Sequence, residues 1–120
     1  MPSKPRLERI AERIREELST MLLRDLNDPR VKFVNVTDVK VDRELAFADI
    51  FVSAVEGVSR SAEVLAGLES AGGYIRRQLA GRVDLRTFPR LRFHWDPTPE
   101  NADRIERKLA EIRSKKGIES

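Results

Sequence analysis

The chain contains no cysteine. Disulfides, thiol nucleophiles, thiolate zinc sites and iron–sulfur clusters are excluded, and the composition suits a reducing cytoplasm. A single histidine, His94, removes two-histidine metal motifs and leaves little scope for histidine acid–base catalysis. No apolar run is long enough to span a bilayer, and the charged first nine residues lack the apolar stretch of a secretory signal. No repeat, low-complexity tract or Pro/Gly-rich linker divides the 120 residues. That length accommodates one modest core, so one domain is expected. Charged residues reach 36% with both signs mixed, beside 40% apolar residues, the balance of a soluble folded domain.

One stretch lacks acids. Between residues 71 and 95 stand Arg76, Arg77, Arg82, Arg86, Arg90 and Arg92 against Asp84 alone, a surplus of five positive charges. The whole chain is only +3, so the remainder is net −2. This basic segment follows Gly72-Gly73, an adjacent glycine pair inside an otherwise helical pattern. Each helical glycine costs about 1 kcal/mol relative to alanine, so the pair predicts a break: a kink, an interhelix turn or a close backbone approach to another molecule. A basic segment beside such backbone fits a phosphate-rich partner. The alternatives are a ligand-free turn for the glycines and a solvated surface for the arginines.

Apolar positions Leu7, Ile10, Ala11, Ile14, Leu18, Met21 and Leu22 recur at helical spacing and predict a first helix over 5–26, ending before Asn27-Asp28-Pro29. Residues 31–41 and 45–53 read as a hairpin turned at Asp42-Arg43-Glu44, with a parity switch near Thr37-Asp38 that calls for a bulge. A helix capped by Ser59 or Ser61 carries Ala62, Leu65 and Leu68 inward; after the glycine break a third helix, 74–80, carries Ile75 and Leu79 and stops at Gly81. Residues 88–95 alternate, with Leu91, Phe93 and Trp95 on one face and Arg90, Arg92 and His94 on the other. Thr98-Pro99-Glu100 opens a last helix, 98–114, whose Ala102, Ile105, Leu109 and Ile112 dock it on the body, and 115–120 is a frayed tail. This is an α+β domain, α-β-β-α-(kink)-α-β with helices on one face of a three-stranded sheet and a C-terminal helix.

That order resembles a type II KH domain, with Ala71-Gly72-Gly73 where KH domains carry a GxxG loop. An Ala-x-Gly kink in its place is the mark of the ribosome-binding factor A family. Asp28-Pro29-Arg30, Asp42-Arg43-Glu44-Leu45-Ala46-Phe47-Ala48, Ala71-Gly72-Gly73-Tyr74-Ile75-Arg76 and Leu85-Arg86-Thr87-Phe88-Pro89-Arg90-Leu91 are similar to that family too, over residues 5–96. The last helix and tail lie outside the match.

The resemblance implies a non-catalytic, cofactor-free assembly factor. It would bind the small ribosomal subunit near the neck, contact 16S rRNA, assist processing of its 5′ end, and be released by a GTPase acting in trans. It is expected to be a cytoplasmic monomer without a membrane partner. The RNA-binding candidates are Gly72, Gly73, Tyr74, Arg76, Arg77, Arg82, Arg86, Arg90 and Arg92, with Ala71, Gly72 and Gly73 forming the kink. Tyr74 either packs inward or stacks on a nucleotide. Phe93 and Trp95 read as core, His94 as a strand residue without a catalytic cluster, Asp96 as a turn former and Glu100 as a helix-start acid. A generic KH-like or DNA-binding module, a small metal-dependent nuclease and a protein-only adaptor are the competing readings; the nuclease would need clustered carboxylates on the basic face, and the acids here are scattered.

Overall fold

A computed structural model describes residues 2–119, and side chains as far as residue 114 except that of residue 103. Helix α1 spans Lys4–Arg24, with Ser3 capping its N-terminus and Ile10, Ile14, Leu18, Met21 and Leu22 buried along one stripe. A 3-10 turn, Pro29–Val31, follows in place of the expected beginning of the first strand, because Asp28 caps it by accepting from the Arg30 backbone N–H at 2.9 Å. Strand β1 is then Val34–Val41 and pairs antiparallel with β2, Phe47–Ala54. Their register shifts between Val36 and Asp38, the bulge that the parity switch calls for. Asp42 closes the hairpin by accepting from the N–H groups of Ala46 and Phe47 at 2.8 and 3.0 Å.

Helix α2 spans Ser61–Arg82 without interruption. The expected break at Ala71-Gly72-Gly73 does not divide it, and the expected third helix is its second half. Gly81 lies inside it and does not stop it. Val64, Leu68, Ile75 and Leu79 are fully buried on one face that runs across the glycines. Burying four such side chains stabilises by roughly 6–12 kcal/mol at about 1.5–3 each. Two helical glycines cost only about 2 kcal/mol, so packing wins. Val64, rather than the exposed Ala62, begins the inward stripe.

Strand β3, Arg90–Trp95, lies parallel to β2, and the sheet order is β1-β2-β3. Parallel neighbours need a crossover, which α2 supplies. Both α1 and α2 cover the same face of the sheet, α1 over β1 and α2 beside β3, and the core is continuous between them. The α+β architecture is as expected.

The last helix departs from expectation. Helix α3 runs Thr98–Glu119, longer than the expected 98–114, and Ile105, Leu109 and Ile112 are 60%, 46% and 52% exposed. It stands away from the body, so the chain measures 64 × 35 × 20 Å with a radius of gyration of 17.8 Å, against about 14 Å for a compact chain of this length. Among the described residues, the start of α3 is the part tied down by hydrogen bonds to the body. Asp96 accepts from the Thr98 backbone N–H at 2.9 Å and from the Thr37 hydroxyl at 2.6 Å, and the Glu100 carboxylate accepts from the Val58 N–H. The exposed Ile105, Leu109 and Ile112 are not part of the core. Ser120, the end of the expected tail, lies outside the described residues.

Candidate nucleic-acid interface

A cleft of about 490 Å³ opens between α2 and β3, lined by Glu69, Gly72, Gly73, Arg76, Arg90, Leu91, Arg92 and Phe93. One wall is bare helix backbone at the glycine pair. A Cβ on Gly72 would sit 3.9 Å from the Phe93 ring, and one on Gly73 would sit 3.5 Å from Arg77 Nη1. The other wall is β3, an edge strand whose outward backbone groups have no neighbouring strand. Such an edge offers hydrogen bonds to a ligand laid along it.

The arginines divide by what already holds them. Arg76 donates through Nε to the Pro89 carbonyl at 3.1 Å and through Nη2 to the Phe88 carbonyl at 2.6 Å, so it orders the chain that leads from α2 into β3. Arg82 reaches Glu17 at 3.6 Å and Asp25 at 3.2 Å and ties α2 to α1. Arg92 is bidentate on Asp49 at 2.8 and 3.0 Å and lies over the Phe47 ring at 4.0 Å. Arg77, Arg86 and Arg90 make no ion pair among the described residues. These three are the cations most available to a ligand. Of the candidate residues, the cleft gathers Gly72, Gly73, Arg76, Arg90 and Arg92; it does not gather Tyr74, Arg77, Arg82 or Arg86. Tyr74 is 40% exposed and does not line the cleft. Because α2 is continuous, residues 73–76 lie within a helix, not at its start. The expected phosphate site on free N–H groups at a helix N-terminus is therefore absent there.

On the sheet's other face, Arg92 first and then His94, whose Nε2 lies 2.8 Å from Asp49, hold the Asp49 carboxyl below its ordinary range. His94 also stacks on Phe51 at 5.0 Å between ring centroids. It is a half-exposed strand residue, as expected, and among the described residues no group of three or more His, Cys, Asp or Glu could hold a metal ion. Hydrogen bonds from Arg15 to Glu12, from Arg30 to Asp28 and from Thr37 to Asp96 lower those carboxyls as well. Depressed carboxyl pKa values in the fold mean that the unfolded chain binds more protons in acid. Stability should be fully present above the ordinary values of 3.8 for Asp and 4.5 for Glu and be lost as the pH falls through the lower folded values. Thermal melts between neutrality and strong acid should show a flat melting temperature that drops only below about pH 4; no drop in that range would contradict these pairings.

Sequence reasoning missed two residues that build the site's frame. Gly67 lies where α2 meets the 3-10 turn, and a Cβ there would come within 2.9 Å of both Arg30 Cβ and Val31 Cγ1. Arg60 donates to the carbonyls of Lys32 and Arg30 at 2.8 and 3.1 Å while paired with Glu63 and Glu56, clamping the same turn. A lone glycine on the Val64–Leu68 stripe was the available signal for the first; nothing local marks the second.

A model of the ribosome-binding factor A family matches residues 6–109. The chain belongs to that family. A ribosome-binding factor A from Brevibacillus brevis is 43% identical over 110 residues, covering 92% of this chain and 91% of its own length. One from Aromatoleum aromaticum is 36% identical over 107 residues, covering 89% and 84%. The solution structure of a Thermotoga maritima protein assigned to the family superposes with a TM-score of 0.66 at 28% identity, covering 78% of this chain and 90% of that one. A homology model of Thermus thermophilus ribosome-binding factor A, as fitted into the cryo-EM map of a complex of that factor with 30S, gives 0.53 at 26% identity over 72% and 87%. The KH-like α+β fold is thus the fold of the ribosome-binding factor A family, and the matched region takes in both the cleft and the first part of α3.

Proposed function

We propose that this chain is a non-catalytic assembly factor that binds the small ribosomal subunit through 16S rRNA and assists its maturation, including processing of the 5′ end. The observation that carries this reading is the cleft between the bare Gly72-Gly73 backbone and the edge of β3, rimmed by arginines. A single-stranded segment fits such a site chemically. Its phosphates would lie against Arg77, Arg86 and Arg90, while its bases enter the cleft and meet the free backbone groups of β3, the type of contact by which proteins read unpaired RNA. Arg76, Arg82 and Arg92 act on the binding surface by holding its walls. The relative fitted as a homology model into the map of a 30S complex supports the choice of partner.

In this reading the chain works in the cytoplasm as a monomer, without cofactor or membrane, and a GTPase acting in trans releases it. The reading is tested with Arg77→Glu/Arg90→Glu, two exposed arginines without ion pairs among the described residues. Surface changes away from special features usually stay within about 0.5 kcal/mol in stability. The variant should melt like the wild type and sediment with small subunits at least about tenfold more weakly, the equivalent of about 1.4 kcal/mol. Undiminished sedimentation of the folded variant would place the interface elsewhere. A second reading, an adaptor for another protein, is favoured by the exposed Ile105, Leu109 and Ile112 stripe of α3. Binding that barely responds to salt would support it over RNA.

A further inference from the structure

Helix α1 is electrically two-sided. On one flank Glu8 and Glu12 line a hollow against Asp38 of β1, with Arg15 already bound to Glu12 at 2.9 Å. On the other, Arg6, Arg9 and Arg13 line an open cleft of about 320 Å³ against Val83 and Asp84, the chain that leaves the C-terminal end of α2. Steps of three and four residues put those arginines on one side of the helix. Arg6 and Arg9 make no ion pair among the described residues, and Arg13 pairs only with its own helix neighbour Glu17 at 3.1 Å, leaving its side chain 52% exposed. Asp84 is the one acid on this cleft.

We infer that the arginine flank of α1 is a second RNA-contact surface, which binds the phosphate backbone of the same RNA beyond the α2–β3 cleft. This rests on the RNA reading proposed above. The segment 83–89 connects the two places physically: it begins at the α1 cleft with Val83 and Asp84, carries Arg86, and ends at Pro89, whose carbonyl is held by Arg76. A backbone leaving the glycine cleft along this segment meets the α1 arginines next. From Arg6 to Arg13 is about 10 Å along the helix axis at about 1.5 Å per residue. That is the length of about three phosphates in duplex geometry at about 3.4 Å per nucleotide of one strand. The residues lining this cleft include no aromatic side chain on which a base could stack, so its contacts would be to phosphate and would add affinity without sequence preference.

The test uses the full chain and deproteinised 16S rRNA, with affinity measured over a salt series for wild type, Arg6→Gln/Arg9→Gln and Arg77→Gln/Arg90→Gln, after melts confirm that each is folded. Each lost phosphate contact flattens the plot of log affinity against log salt by about 0.7–0.9. The α1 variant should therefore lose about 1.4–1.8 of the slope, or roughly a 7- to 12-fold share of the response to a fourfold salt change. An unchanged slope for the α1 variant, beside weakened binding by the α2–β3 variant, overturns the inference and leaves the RNA reading standing. Wild type that does not bind the rRNA, or binds it with a flat salt response, overturns both. A weaker α1 variant with the wild-type slope also overturns the inference, because the arginines would then act by some route other than phosphate contact.

Discussion

Replacing Gly72 and Gly73 together by alanine is expected to make the protein more stable and worse at binding. Both glycines lie within α2, where each is about 1 kcal/mol less favourable than alanine, so the double variant should gain about 2 kcal/mol. Sterics do not oppose the change. The new Cβ at 72 would meet Phe93 at an ordinary 3.9 Å, and the one at 73 would lie 3.5 Å from the free end of the Arg77 side chain. If the bare backbone exists to admit RNA, two methyl groups in that wall should weaken small-subunit binding by at least about tenfold, about 1.4 kcal/mol. Urea titration and sedimentation on the same preparation measure both halves. Higher stability with unchanged binding would mean that the glycines are not a recognition wall.

Gly67 should behave in the opposite way. A Cβ there would press on Arg30 Cβ and Val31 Cγ1 at 2.9 Å, and the turn that carries them has little room to yield. Val31 is 1% exposed, Arg30 is locked to Asp28 through four hydrogen bonds of 2.7–3.1 Å, and Arg60 holds the turn's carbonyls. Overpacking of this kind typically costs about 1–3 kcal/mol, more than the roughly 1 kcal/mol that alanine returns in helix propensity. Gly67→Ala should therefore destabilise in spite of being the better helix former, and Gly67→Leu should destabilise further. Denaturant midpoints at or above wild type for both would show that the turn moves aside.

Three of the four glycines in α2 thus carry two different meanings, and the sequence alone distinguished them poorly. Local rules read Gly72-Gly73 as a break because propensity was weighed without the stripe it interrupts. Val64, Leu68, Ile75 and Leu79 are spaced by four, seven and four, which keeps helical phase straight through the glycines and was the signal for continuity. The bulge at Thr37-Asp38, the hairpin and the inward face of β3 were legible because strand parity is a local property. The position of α3 was not, because an amphipathic stripe shows only that a helix has an apolar side, not that the body has a surface to receive it. Within the candidate site, the excess of arginine was evident from composition, whereas the roles of Arg76, Arg82 and Arg92 depended on partners 12 to 57 residues away. From sequence the α1 arginines are only the polar faces of an amphipathic helix, because their significance comes from the segment packed beside them.

The central claim is that this member of the ribosome-binding factor A family holds the small subunit through charged contacts to RNA. Sedimentation with purified small and large subunits at about 50 and 200 mM salt tests it most directly. Three phosphate contacts at about 0.7–0.9 each predict a roughly 20- to 40-fold weakening across that fourfold change, and more if α1 contributes. Binding to small subunits should fall by at least this factor, with little binding to large ones. Equal binding to both subunits, or small-subunit binding that is the same at both salt concentrations, would contradict it.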